Sequence, residues 1–425
     1  MTRSPVVVVG AGPVGLAAAA HLVKEGLEPL VLEAGGIVGA SIAAWGHVRL
    51  FSTWQSNIDA AAASLLLDAG WTVPDLDTLP TGRDLVDDYL IPLSEVPELA
   101  GKVRLGARVT AISRSVDKVT HDRQTAPFVV RFTTADGEQE VQAASVIDAT
   151  GTWLTPNPLG ANGLPTLGEH GLRDRLYYGV PDVLGQDRSR YRGRTTAVVG
   201  SGHSAANAVL ALLELRRVDP STAIHWLIRG TTLRAIGGGS ADQLAARGKL
   251  GHAAGEAVRA GAVRLHEDFG VREVRVAAGS LELVGDTRRI EVDEIVVATG
   301  QRPDRTLTEE LRLDLDLALD STRALGPLID PNVHSCGTVP PHSYQALTHP
   351  DEPGFFTVGA KSYGRAPTFL MATGYEQVRS VAAHLAGDEK RAATVHLVLP
   401  ESGACGVGGP SQPQLATAGA AACCG

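Results

Sequence analysis

The sequence predicts an α/β protein that builds one structural plan twice, and three observations predict it. Four consecutive valines, Val6–Val9, run into Gly10-Ala11-Gly12-Pro13-Val14-Gly15, an alanine-rich stretch and then Pro29-Leu30-Val31-Leu32-Glu33. The same order returns at Thr195–Val199, Gly200-Ser201-Gly202-His203-Ser204-Ala205 and Ala223–Arg229. Each half closes on Ala-Thr-Gly, at Ala149-Thr150-Gly151 and again at Ala298-Thr299-Gly300. The repeat is loose, with 141 residues from Gly10 to Gly151 and 100 from Gly200 to Gly300.

In the first block, a run of valines reads as a strand buried on both faces, as in a parallel sheet. Gly10, Gly12 and Gly15 form G-x-G-x-x-G, with Pro13 inside the turn. The three glycines supply a tight turn, close backbone approach to a pyrophosphate, and close packing of helix on strand. The helix that follows, over residues 16–25, points its first N–H groups and its dipole at the phosphates. Glu33 ends the second strand 23 residues after Gly10. A carboxylate there accepts the hydroxyl protons of an adenosine ribose. Gly10, Gly12, Pro13, Gly15 and Glu33 are therefore candidate dinucleotide ligands on a Rossmann-like unit. The second block repeats the logic with Gly200, Gly202, His203, Ser204 and Gly300, but its second strand ends in Arg229, 29 residues after Gly200. An arginine at that place suits a ribose 2′-phosphate, where an acid would suit a free 2′-hydroxyl. Arg234 is a second candidate cation. Two different nucleotides are thus expected.

Length and composition agree. A chain of 425 residues, 44% hydrophobic, exceeds one core. A net charge of −9 argues against nucleic acid or an anionic membrane as the main partner. No run of about 18 apolar residues predicts a transmembrane helix, and the valine run ends in a glycine turn rather than a signal-cleavage site. The four cysteines are Cys336, Cys405, Cys423 and Cys424. Such sparse usage fits a reducing cytoplasm. Oligomeric state is not legible.

Between the motifs, residues 36–58 read as a loop carrying Trp45, His47, Arg49 and Trp54, and Thr81 to Glu98 reads as a helix with Thr81 as N-cap. Strands are expected at Val103–Arg114, Phe128–Thr134 and Glu140–Ile147, the last two joined by an Asp136-Gly137 hairpin turn. In the second block, a helix is expected over Ala205–Arg217 and another over Ala241–Ala260. Short strands follow at Val263–Glu267, Val271–Ala277, Ser280–Val284 and Arg289–Val292. Near the end, Gly354–Gly359 reads as a strand and Thr373–Ala386 as a helix. From Pro400 the composition turns to Gly, Ala, Ser, Pro and Gln, and this tail is expected to be disordered.

These motifs resemble the two-dinucleotide-binding flavoproteins over roughly residues 1–395. The resemblance implies a discontinuous FAD-binding domain (1–160 and 325–395), an inserted NADPH-binding domain (190–302) and a cysteine-bearing tail (396–425). The two Ala-Thr-Gly segments look like that superfamily's A-T-G motifs. Val358-Gly359-Ala360 followed by the helix around Thr373–Gln377 looks like its last FAD motif, so Gly151, Gly359, Thr373 and Gln377 join the FAD candidates. Gly200-Ser201-Gly202-His203-Ser204-Ala205 is similar to the turn of the flavin-containing monooxygenase branch. Stretches around Trp45–Ser52, Cys336–Pro341 and Ser362–Pro367 are similar to flavoproteins of actinobacterial arsenic-resistance operons. Two departures stand out. The F-x-G-x-x-x-H-x-x-x-W fingerprint is not intact, its nearest approach being Tyr178-Gly179-Val180-Pro181-Asp182. The C-x-x-C hallmark of dithiol reductases is absent, since no cysteine precedes Cys336.

The resemblance implies an NADPH-consuming monooxygenase that transfers oxygen from a C4a-(hydro)peroxyflavin to a soft nucleophile, S, N or As(III). A trivalent arsenical is then a candidate substrate. The alternatives are an NADPH-dependent reductase or metalloid-handling enzyme and a non-catalytic redox sensor. Trp45 and Arg49 are candidates for the flavin or substrate pocket, the arginine because positive charge near the ring tunes it. Cys336 has a nucleophile's composition, with His334 nearby, though buried inert cysteine is the plainer reading. Cys405, Cys423 and Cys424 carry the soft thiols that thiophilic metalloids prefer.

Overall fold

A computed structural model describes residues 4–233, 242, 244–334 and 338–397. In chain order the first strands are β1 (Val6–Val9), β2 (Pro29–Leu32), β3 (Val103–Arg104), β4 (Arg108–Arg114), β5 (Phe128–Thr134), β6 (Gly137–Ala143) and β7 (Ser145–Asp148). The others are β8 (Leu176–Tyr178), β9 (Thr195–Val199), β10 (Ala223–Leu227), β11 (Arg264–His266), β12 (Glu273–Ala277), β13 (Ser280–Val284), β14 (Arg289–Val292), β15 (Glu294–Val297) and β16 (Phe355–Thr357).

They form two parallel five-stranded sheets, ordered β16-β7-β1-β2-β3 and β11-β10-β9-β15-β8. Each sheet carries a three-stranded antiparallel meander, β4-β5-β6 and β12-β13-β14. The glycine turns leave β1 and β9, the central strands. β1 is enclosed on both faces, its four valines 0–6% exposed. Removing each from water contributes about 1.5–3 kcal/mol. A helix over Pro13–Lys24 follows β1, and the corresponding helix His203–Val218 follows β9. The first helix packs against the late helix Met371–Leu385. Gly374 permits that approach: a Cβ there would lie 2.6 Å from Val14 Cγ2.

The structure redraws several expected boundaries. Val103–Arg114 divides at Gly106, which has φ +64°, into β3 and β4 of different sheets. Glu140–Ile147 likewise divides, because β6 ends the meander while β7 enters the parallel sheet beside β1. The Asp136-Gly137 turn does join β5 to β6 as a hairpin, with Thr134 opposite Gly137. Thr81 caps its helix through a capping box with Asp84, but the helix is α-helical only over Gly82–Leu85 and Ile91–Glu95, with a π-turn between. The second sheet begins ahead of residue 190, since β8 pairs in parallel with β15. Three residues of β8 carry too little pattern to stand out in sequence. Among the described residues, no helix is long and apolar enough to cross a membrane.

Candidate functional site

A cavity of about 590 Å³ opens at the carboxyl ends of the first sheet. Its wall takes Gly10, Gly12 and Pro13 from the first turn, Glu33 from the end of β2, Gly151 from the loop after β7, and Gly359 from the loop after β16. These residues are far apart in sequence, and the parallel order of the strands brings their loops together.

The glycine turn behaves as its spacing requires. Gly10 has φ +100°, and a Cβ there would lie 2.8 Å from the Ala149 carbonyl oxygen. Gly15 is not in the cavity wall; a Cβ there would meet the Gly10 carbonyl oxygen at 1.9 Å, so its part is to seat the helix on the strand. Gly12 has nothing within 4 Å of a Cβ position and leaves a free cradle. The Glu33 carboxylate accepts the Ala11 and Gly35 N–H groups, each at 2.7 Å. Those bonds fix it at the lip of the cavity, and each oxygen keeps a further lone pair for a ligand hydroxyl.

Trp45 lines the cavity, facing Trp153 at 6.4 Å between ring centroids. Each indole rests on a glycine. A Cβ on Gly82 would lie 2.9 Å from the Trp45 ring, and one on Gly179 would lie 3.0 Å from Trp153. Gly179 has φ +110° and directly follows β8, so Trp153 spans from the first sheet's loop to the second sheet. The sequence reading missed Trp153, although its place two residues after Ala149-Thr150-Gly151 was a usable signal. Arg49 departs from its expected role. It is exposed, outside the cavity wall, and its Nη1 donates to the Leu79 carbonyl at 2.5 Å. A bridge between Arg49 and Thr81 sets that direction.

The late helix begins at Met371, two residues earlier than expected, and Phe369 and Met371 face the cavity. Thr373 and Gln377 lie behind them, 2% and 0% exposed. Gln377 Oε1 accepts the Gly359 N–H at 2.9 Å, so it holds the turn rather than lining the cavity. Cys336, Arg234, Cys405, Cys423 and Cys424 lie outside the described residues.

The second turn repeats the first. Gly200 has φ +132°, and a Cβ there would meet the Ala298 carbonyl oxygen at 2.2 Å, while Gly202 is open. Trp226 Nε1 donates to the Gly200 carbonyl at 2.7 Å. His203 and Ser204 open the helix. The His203 ring lies 5.1 Å from Phe51, its Nε2 buried without a hydrogen-bond partner. Burial lowers its pKa to about 4, with the Arg247 charge adding to the effect, so the ring is neutral near pH 7. Arg229 is exposed at the end of β10, and its Nη1 donates to the Ala161 carbonyl at 3.2 Å. Gly300 has φ +87°, and Asn157 Nδ2 donates to the carbonyls of Thr299 and Gln301 on either side of it.

Two glycine-turn units on central strands, an open cradle beside Gly12, and a cavity within the roughly 300–1,000 Å³ range of small-molecule sites fit dinucleotides. The fold and site define a two-dinucleotide oxidoreductase. The chain belongs to the pyridine nucleotide-disulphide oxidoreductase family, whose model matches residues 7–318. It is an oxidoreductase of that pyridine-nucleotide class. The fold is similar to that of a bacillithiol disulfide reductase from Bacillus cereus (20% identity, 91% of this chain and 99% of that one, TM-score 0.64). It is also similar to the cadaverine monooxygenase of desferrioxamine biosynthesis from Erwinia amylovora, solved with FAD bound (16%, 93% and 97%, TM-score 0.66). A flavin-containing monooxygenase from Stenotrophomonas maltophilia matches with 19% identity over 91% and 100%, TM-score 0.58. Comparison with curated protein sequences finds no match.

Proposed function

We propose that the chain is an FAD-dependent, NADPH-consuming monooxygenase that transfers oxygen to a small soft nucleophile. The observation that carries this reading is the chemistry of the cavity wall: two indoles and aliphatic side chains beside Glu33, Arg108 and Asp304, with no cysteine among the described residues. Residues 1–335 contain no cysteine at all. A disulfide-reductase cycle relays electrons through a thiol pair beside the flavin, and the described residues supply none.

A bound FAD would supply the two-electron chemistry that links NADPH to oxygen. The chain's own part is to bind, orient and exclude water. The Gly10–Gly15 turn and the helix behind it offer backbone N–H groups to a diphosphate. Glu33 accepts from the ribose of FAD. Gly200, Gly202 and the start of the His203–Val218 helix receive the diphosphate of NADPH, and Arg229 its 2′-phosphate. Trp45 and Trp153 close the cavity against water where the two halves meet. In this assignment the FAD-binding half is 1–160 with 325–395, and the NADPH-binding half begins with β8.

The test is anaerobic mixing with NADPH in a stopped-flow instrument, followed by oxygen and a panel of sulfide, amine and arsenite. The expected result is bleaching of the flavin absorption by NADPH, then oxygen uptake matched to oxygenated product. Turnover that continues without oxygen on a disulfide or an oxidised metalloid contradicts the proposal and favours a reductase presenting substrate on Cys405, Cys423 and Cys424. A flavin that NADPH reduces without substrate turnover favours a redox sensor. The arsenite arm decides the trivalent arsenical, for which no described residue supplies a ligand set.

A further inference from the structure

Behind the wall of the first cavity lies a buried ionic cluster with no part in the function so far. Lys361 and Asp148 are both 0% exposed, with Lys361 Nζ 2.7 Å from Asp148 Oδ2. The same ammonium donates to Thr150 Oγ1 at 3.0 Å. Thr150 in turn donates its hydroxyl and its backbone N–H to Asp148 Oδ1, at 2.7 and 3.2 Å. Burial alone would raise the Asp148 pKa, but the Lys361 charge and these hydrogen bonds hold it below the ordinary value. The cluster ties two strand ends together. Asp148 ends β7, opposite Thr357 of β16, and its carbonyl accepts the Val358 N–H at 3.0 Å. The loops leaving these strands place Thr150, Gly151, Gly359 and Ala360 in the cavity wall. Arg305, on the segment returning from the second half, brings another charge toward Asp148, with Nε and Nη1 buried and unpartnered.

A buried lysine is costly unless paired and hydrogen-bonded. Here the pairing closes a ring, Lys361 to Asp148 to Thr150 and back, that locks one cavity-lining loop to the other. We propose that Lys361 is a positioning residue of the first cofactor site, holding the loops after β7 and β16 at the spacing that receives FAD. It touches the cofactor only through Thr150 and the backbone of its own loop. The inference rests on the reading that FAD occupies this cavity.

The test measures the FAD dissociation constant of deflavinated protein by quenching of flavin fluorescence, with NADPH affinity and melting temperature recorded on the same samples. Lys361→Met is expected to weaken FAD binding about tenfold or more while leaving NADPH affinity unchanged. Lys361→Arg, which keeps the charge, should recover part of the loss. The decisive sample is the double variant Asp148→Leu with Lys361→Met. Replacing both ions by apolar groups removes the uncompensated charge, so the melting temperature should return toward the parent. FAD affinity should stay low, because Thr150 has lost both partners. Recovery of FAD affinity along with stability would show a merely structural pair and overturn the proposal. Should Lys361→Met not fold, Thr150→Val decides: several-fold weaker FAD binding supports the ring, and parental affinity overturns it. A parent protein that takes up no FAD contradicts the cavity assignment itself, a result distinct from a parent that binds and variants that bind equally.

Discussion

Arg229 is where a single side chain separates two coenzymes. It stands exposed at the end of β10, where among the described residues it makes a 3.2 Å bond to the Ala161 carbonyl. A guanidinium so placed keeps donors free for a phosphate but has nothing to offer a 2′-hydroxyl that water does not. Arg229→Ala is therefore expected to raise the KM for NADPH about tenfold or more and to leave the KM for NADH nearly unchanged. Equal effects on both coenzymes would remove it from the 2′-phosphate site. At the same scale, position in the chain did not settle role. Arg49 and Trp45 lie four residues apart, yet the bridge to Thr81 turns Arg49 outward while Trp45 lies over Gly82 and faces the cavity.

The β4-β5-β6 meander runs through Ala144 into β7, the neighbour of β16, and packs Phe128 against Phe355; a buried carboxylate adds a polar joint between them. Glu352 is 0% exposed, three residues before β16. It accepts from Arg114 Nε of β4 at 2.6 Å and from the Arg312 N–H at 2.9 Å, with Arg123 Nη1 3.6 Å away. Arg114 itself lies over the Phe128 ring of β5 at 3.6 Å. Removing one partner of a buried ionic group leaves the others uncompensated. Glu352→Ala should therefore cost about 3–5 kcal/mol of stability in chemical denaturation. A loss under about 1 kcal/mol would mean water compensates the two arginines as well as Glu352 does. Such joints were not legible in sequence, because Arg114 and Glu352 are 238 residues apart.

Over the whole molecule, burial lowers the pKa of five histidines among the described residues, and three of these carry the largest shifts. His203, His225 and His349 each have a pKa lowered to about 4, with burial the largest cause; the second contributions are Arg247 for His203 and His266 for His225. For His349 the Arg305 charge adds to burial in favouring the neutral ring. A base whose folded pKa lies below its unfolded value binds fewer protons folded than unfolded. Its contribution is complete above the unfolded pKa of 6.5 and is lost as the pH falls from there toward 4. The melting temperature should therefore be level between pH 8 and 7 and drop progressively below about 6.5. A level profile down to pH 4.5 would contradict the neutral, buried state of these rings. The Asp148 carboxylate adds a further loss only below its ordinary pKa of 3.8.

Sequence alone determined the plan: two glycine turns after two apolar strands, two Ala-Thr-Gly closures, an acid ending one second strand and a base the other. These were legible because each is local, set by a few residues at fixed spacing whose backbone geometry allows little else. Gly15 illustrates it, since any side chain there would strike the Gly10 carbonyl. Tertiary structure alone decided which distant loops share the cavity. It set Trp153 opposite Trp45, withdrew Thr373 and Gln377 behind the wall, and ringed Lys361 with Asp148 and Thr150 across 211 residues of chain. The reason is physical: parallel strands return only after long crossovers, so neighbours at the carboxyl end of a sheet are chosen by strand order, and no local pattern records that order.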